Sequence, residues 1–156
     1  MEIKKAIVLL FLSFTLAMSA SANKQIGSSE CFVVSQSLVE QVYNNMEIKV
    51  NISRFVGRYI DRLAESRTDV SARLWSDLKN QIDYSQFHES AIAALSKHYT
   101  NQELSELLVK YKNEAIIPIT KVELRNEFYS IVNDFNHSTL NNQINKKLTS
   151  WGYPKI

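Results

Sequence analysis

The chain predicts an all-α fold, a single-domain antiparallel helical bundle of about six or seven helices. Three observations lead there. Apolar residues recur at i, i+3, i+4 and i+7 in successive segments between Cys31 and Leu148. The chain holds only three Gly and two Pro, too few for the turns that strands require. No segment alternates apolar and polar residues with period two, and no Asn-Gly or Asp-Gly pair marks a hairpin.

Residues 1–22 read as a signal peptide rather than as part of the fold. Lys4 and Lys5 make a positive start, and Ala6 to Ala17 is an apolar run too short for a lasting membrane span. Ala20-Ser21-Ala22 is the small-x-small pattern of a cleavage site, so cleavage is expected after Ala22. No Cys stands at that junction to take a lipid, and no later stretch has the length of a transmembrane helix. The rest of the chain is expected in a bacterial periplasm. Removing Lys4 and Lys5 from the 18 basic residues and Glu2 from the 16 acidic ones leaves 16 against 15. A balance that close gives no electrostatic case for nucleic acid or an anionic membrane. Cys31 is the only cysteine and cannot close an intrachain disulfide. It is buried, free, or bridged between chains in a homodimer, and the apolar run Cys31-Phe32-Val33-Val34 favours burial.

Residues 23–28 form a polar, mobile leader, and the all-helical domain runs over 29–156. Ser28 or Ser29 caps a first helix with Cys31, Val34, Leu38, Val39, Val42, Tyr43 and Met46 on one side; Asn44-Asn45 weakens its end. Ile52, Phe55, Val56, Tyr59, Ile60 and Leu63 follow, on a separate helix or on the continuation of a long bent one. Ser66-Arg67-Thr68-Asp69 is a polar break that offers two caps. A third helix carries Val70, Leu74, Trp75, Leu78 and Ile82, and a fourth carries Tyr84, Phe87, Ala91, Ile92, Leu95 and Tyr99.

The fifth helix opens with a capping box, Thr100 at the N-cap and Glu103 three residues on. Leu104, Leu107, Leu108, Tyr111 and Ala115 carry it to Ala115, and Pro118 either kinks it or starts the next helix. The sixth helix shows Val122, Leu124, Phe128, Ile131, Val132 and Phe135. Asn136-His137-Ser138 interrupts it, and Leu140, Ile144 and Leu148 make a seventh. Gly152 stands where a C-terminal cap belongs, and Pro154 closes the stop.

Two of these stretches carry a resemblance. Leu74-Trp75-Ser76-Asp77-Leu78, then Tyr99-Thr100-Asn101-Gln102-Glu103-Leu104, then Tyr111, resemble the bacterial exported family called domain of unknown function 2059. The family shows an aromatic before a Thr-x-x-Glu-Leu step, then an aromatic pair before a Ser-Pro-x-Gly turn. Here Lys110-Tyr111 replaces the pair, Asn113-Glu114-Ala115-Ile116 replaces the Pro and Gly, and Pro118 comes later. The likeness covers Val70 to Phe128. It implies an all-helical periplasmic protein and supplies no catalytic residues.

Candidate sites divide into charged, aromatic and titratable groups. Arg54, Arg58 and Arg62 form an i, i+4, i+8 stripe that could recognise anions or carboxylates. The plainer reading is a solvated face, with Arg58–Asp61 and Arg62–Glu65 pairing along the helix. Trp151 and Tyr153 in the tail could anchor a partner, although such a tail more often folds back over its own core. His88 and His98 lie ten residues apart, about 80° around a straight helix, and cannot share a metal from it. No Cys-x-x-Cys, nucleophile elbow or Gly-rich phosphate loop occurs. Glu103 with Glu106, and Asp61 with Glu65, read as solvated charge. No catalytic, metal or cofactor site is therefore expected.

The function this leaves is a non-catalytic exported module that binds a protein or peptide, with the Arg stripe or the aromatic tail as anchors. An immunity-like inhibitor of an exported toxin is one form of it. The alternative is a carrier of a small apolar ligand, which needs a cavity between the fourth, fifth and sixth helices.

Overall fold

The computed structural model describes residues 34–156. The expected signal peptide, the leader, Cys31 and the Ser28 or Ser29 cap lie outside the described residues. Among those described no strand occurs. The elements are α1 (Gln36–Asn45), α2 (Ile48–Ser66), α3 (Ala72–Asn80), α4 (Ser85–His98), α5 (Asn101–Lys110), α6 (Val122–Asp134), a π-helical segment (Phe135–Leu140) and α7 (Asn141–Ser150). No helix among them is long and apolar enough to cross a membrane.

The first two apolar stripes belong to two helices. α1 starts at Gln36, with Ser35 extended before it and its backbone N–H held by Asn101 Oδ1 at 2.6 Å. The helix is thus aligned by the start of α5 and not by a serine cap of its own. It ends at the weak Asn44-Asn45 pair, and Glu47 turns the chain through the left-handed region at φ 52°. Ile117 N–H donates to Asn45 O at 2.9 Å, which satisfies a carbonyl that the helix end would otherwise leave orphaned. α2 then buries Ile48, Ile52, Val56 and Ile60, a single i, i+4 row.

The break after Ser66 is where the sequence places it, but the cap of α3 comes later. Ser71, not Thr68 or Asp69, accepts from Leu74 N–H. Asp69 is instead taken by the Arg67 guanidinium at 2.8 and 2.9 Å. α3 buries Trp75 and Leu78 against α2.

α4 is the central helix. α1 packs on one side of it and α6 on another, and α1 also lies along α5. Phe87, Ala91, Ala94 and Leu95 are its buried row. The small residues at 91 and 94 let the neighbours approach closely. The capping box forms as read: Thr100 accepts from Glu103 N–H, and Glu103 accepts from Thr100 N–H at 2.8 Å. α5 nevertheless stops at Lys110, one turn short of the expected Ala115, which is exposed. Its stripe narrows to Leu104, fully buried, with Leu107, Leu108 and Tyr111 half-buried. Burial of Ile117 explains the early stop, because that residue must leave the helix to bond the end of α1. Pro118 neither kinks α5 nor starts α6; it lies in the irregular segment between them.

Asn136-His137-Ser138 does not break the chain either. α6, the π segment and α7 run on continuously from Val122 to Ser150. The wider turn places both Phe135 and Leu140 in the core and draws Asn136 in with them. Gly152 (φ 83°) ends α7 as read: Tyr153 N–H reaches Leu148 O at 2.9 Å and Gly152 N–H reaches Thr149 O at 3.0 Å.

Candidate functional site

The Arg stripe follows from the packing of α2. A step of two residues turns about 200° around a helix, so Arg54, Arg58 and Arg62 stand opposite the buried Ile52, Val56 and Ile60. All three arginines are exposed. The neutralising pairs expected beside them do not form. Asp61 is taken across to Lys79 of α3, and among the described residues no carboxylate pairs with Arg54, Arg58 or Arg62. The stripe is a row of three guanidinium groups over about 12 Å.

The tail folds back on its own domain. Trp151 and Tyr153 are half-buried against the core. Arg67 Nη1 and Nη2 both donate to Pro154 O at 3.3 Å, and Ile156 N–H donates to Asn145 Oδ1 at 2.8 Å. Partly covered and tied at two points, this aromatic pair is the weaker of the two candidate anchors.

A polar cluster joins α4, α5 and α6 around the centre of the chain. Lys121 Nζ donates to His98 O at 2.5 Å and to Glu103 Oε1 at 2.7 Å, and it lies 4.3 Å from the centre of the Tyr99 ring. Its charge meets the carbonyl end of α4, a cation–helix-dipole contact. Burial raises the Glu103 carboxyl, but the bonds from Lys121 and Thr100 outweigh it and leave the group below the usual range. Glu127 Oε2 accepts from Lys97 and from His98 Nε2, both at 2.7 Å, and these bonds lower its carboxyl. Glu103, read from sequence as solvated charge, is therefore bonded into the fold.

A third feature combines residues far apart in sequence. An open cleft of about 460 Å³ lies between the α1–α2 corner and the start of α4. Tyr43 and Lys49 line one wall, and Asp83, Tyr84, His88 and Glu89 line the other. His88 Nε2–H donates to Glu40 Oε1 at 3.0 Å, and the imidazole meets the Tyr43 ring edge-on with centroids 4.7 Å apart. Burial, reinforced by Glu40, pushes the Tyr43 hydroxyl up to about 12, so it stays protonated. Asp83 accepts from Ser85 N–H and Oγ, and these bonds hold its carboxyl below the usual range.

Sequence reasoning assigned Tyr43 and Tyr84 to the core and singled out neither Lys49 nor Asp83. A helical stripe shows which residues turn inward, not that positions 40–49 and 82–89 face each other. Among the described residues no group of three His, Cys, Asp or Glu side chains is placed to hold a metal ion. No family model, curated protein or solved structure matches the chain.

Proposed function

We propose that this chain is a non-catalytic, exported helical module of the bacterial envelope that binds a protein or peptide through α2. The observation that carries the reading is the row Arg54, Arg58, Arg62, exposed and without a carboxylate partner among the described residues. A guanidinium presents a planar fork of donors that matches a carboxylate, and arginine is enriched where proteins meet. The partner is then an acidic segment, best a helix with carboxylates at the same four-residue spacing. An immunity-like inhibitor of a toxin with such a segment is one version.

The reading includes a single-domain antiparallel bundle, export by residues 1–22 with cleavage after Ala22, and membership of the domain of unknown function 2059 family. The family rests on the residues that carry the resemblance, among them Thr100 and Glu103, which form the capping box that the Thr-x-x-Glu step calls for. The alternative, a carrier of a small apolar ligand, needs a cavity among the buried side chains Leu95, Leu104, Leu124 and Phe128 of α4, α5 and α6.

The test is photo-crosslinking in the native host, with the reactive side chain placed at position 58 or at the exposed position 106 of α5. A discrete adduct at 58 that disappears in the Arg54→Glu/Arg62→Glu background is the expected result. Adducts at 106 alone would move the interface off α2.

A further inference from the structure

We propose that the cleft between the α1–α2 corner and the start of α4 binds a small zwitterion, a free amino acid or dipeptide. This site is separate from the Arg stripe, so either proposal can fail without the other. Its volume, about 460 Å³, falls in the range of small-ligand sites and leaves room for a dipeptide.

The walls are held in place from behind. Glu40 fixes His88, and Tyr84 stacks on Phe135 at 5.8 Å, which in turn packs on Phe87 at 5.6 Å. The turn at Asp83 is clamped by the Gln143 side chain, which accepts from Asp83 N–H at 2.8 Å and donates to Asp83 O at 2.9 Å. Tyr84, His88 and the Asp83 backbone, fixed in this way, lose little freedom when a ligand arrives.

The charges choose the ligand. Lys49 on one wall faces Asp83 and Glu89 on the other, and no ion pair closes between them. A purely anionic ligand would meet two carboxylates, and a purely cationic one would meet the ammonium of Lys49. A neutral sugar would leave all three exposed charges without a counter-charge. A zwitterion answers both walls at once, its carboxylate on Lys49 and its ammonium on Asp83 and Glu89. The half-buried Tyr84 ring then offers apolar surface to the ligand's own side chain, while Tyr43 is buried beneath the cleft.

The test is titration of the purified protein, followed by amide NMR and calorimetry, with the twenty amino acids and a panel of unblocked dipeptides. At least one should bind with resonance shifts at positions 43–49 and 82–89. Its N-acetylated and C-amidated forms should each bind about tenfold more weakly, the effect of one lost charge-assisted bond. Lys49→Gln should reduce affinity for the free acid and leave that for the amide unchanged, and Glu89→Gln should do the reverse for the free amine. Both residues are exposed, so both variants should keep the wild-type unfolding midpoint. No binding from any member, or blocked forms that bind as well as free ones, would overturn the proposal.

Discussion

Lys121 and Arg58 are both cations, one at the extended N-cap of α6 and one within α2, yet their surroundings differ completely. Lys121 sits where α4 ends, α5 begins and α6 begins, and it contacts a carbonyl, a carboxylate and an aromatic face. Arg58 sits midway along α2 with no acceptor among the described residues. The first region satisfies its charge internally and so contributes to holding three helices together. The second leaves its charge to solvent, and a partner could take it up with no internal bond to break. The contrast separates charge that maintains the fold from charge that is available for recognition.

Four perturbations press on that contrast, from the largest effect to the smallest. Leu104→Ala empties a fully buried position beneath the polar cluster and should cost about 2–5 kcal/mol in urea unfolding. A much smaller loss would mean that α5 barely engages the core. Lys121→Met removes two charge-assisted bonds from a part-exposed cation, and we expect a loss of about 1.5 kcal/mol after screening. Thr100→Ala removes the N-cap of α5 and should cost about 1 kcal/mol. Arg54→Ala, Arg58→Ala and Arg62→Ala, singly or combined, should stay within about 0.5 kcal/mol of wild type, as exposed positions without partners do.

The same contrast has a pH signature. Glu103 and Glu127 are both lowered from the ordinary value of 4.5 in the folded chain. Their contribution to stability is therefore complete above that value and fades as pH falls through their folded pKa values. Lys121→Met takes away part of what lowers Glu103, so the acid arm of its stability profile should be shallower than in wild type. Identical acid arms in thermal melts between pH 5 and pH 3 would detach Glu103 from this account.

Much of the fold was legible because it rests on local patterns. The Ile52, Val56, Ile60 row, the break after Ser66, the Thr100–Glu103 box and the Gly152 cap each need only a few neighbouring residues. What escaped was decided by distant contacts. α5 ends at Lys110 because Ile117 must pair with the end of α1, and nothing between Tyr111 and Ala115 announces that. The polar Asn136-His137-Ser138 remains helical because Phe135 and Leu140 must both reach the core, which a π turn allows. Of the recognition features, the Arg stripe was visible as a repeat. Its lack of partners depends on Lys79 drawing Asp61 away, and the cleft depends on two segments meeting in space.

The most direct test compares urea unfolding of the triple variant Arg54→Ala/Arg58→Ala/Arg62→Ala with that of Lys121→Met. The account predicts that the triple variant keeps the wild-type midpoint while Lys121→Met unfolds at clearly lower urea. A triple variant as destabilised as Lys121→Met would contradict it, because the stripe would then be part of what holds the fold.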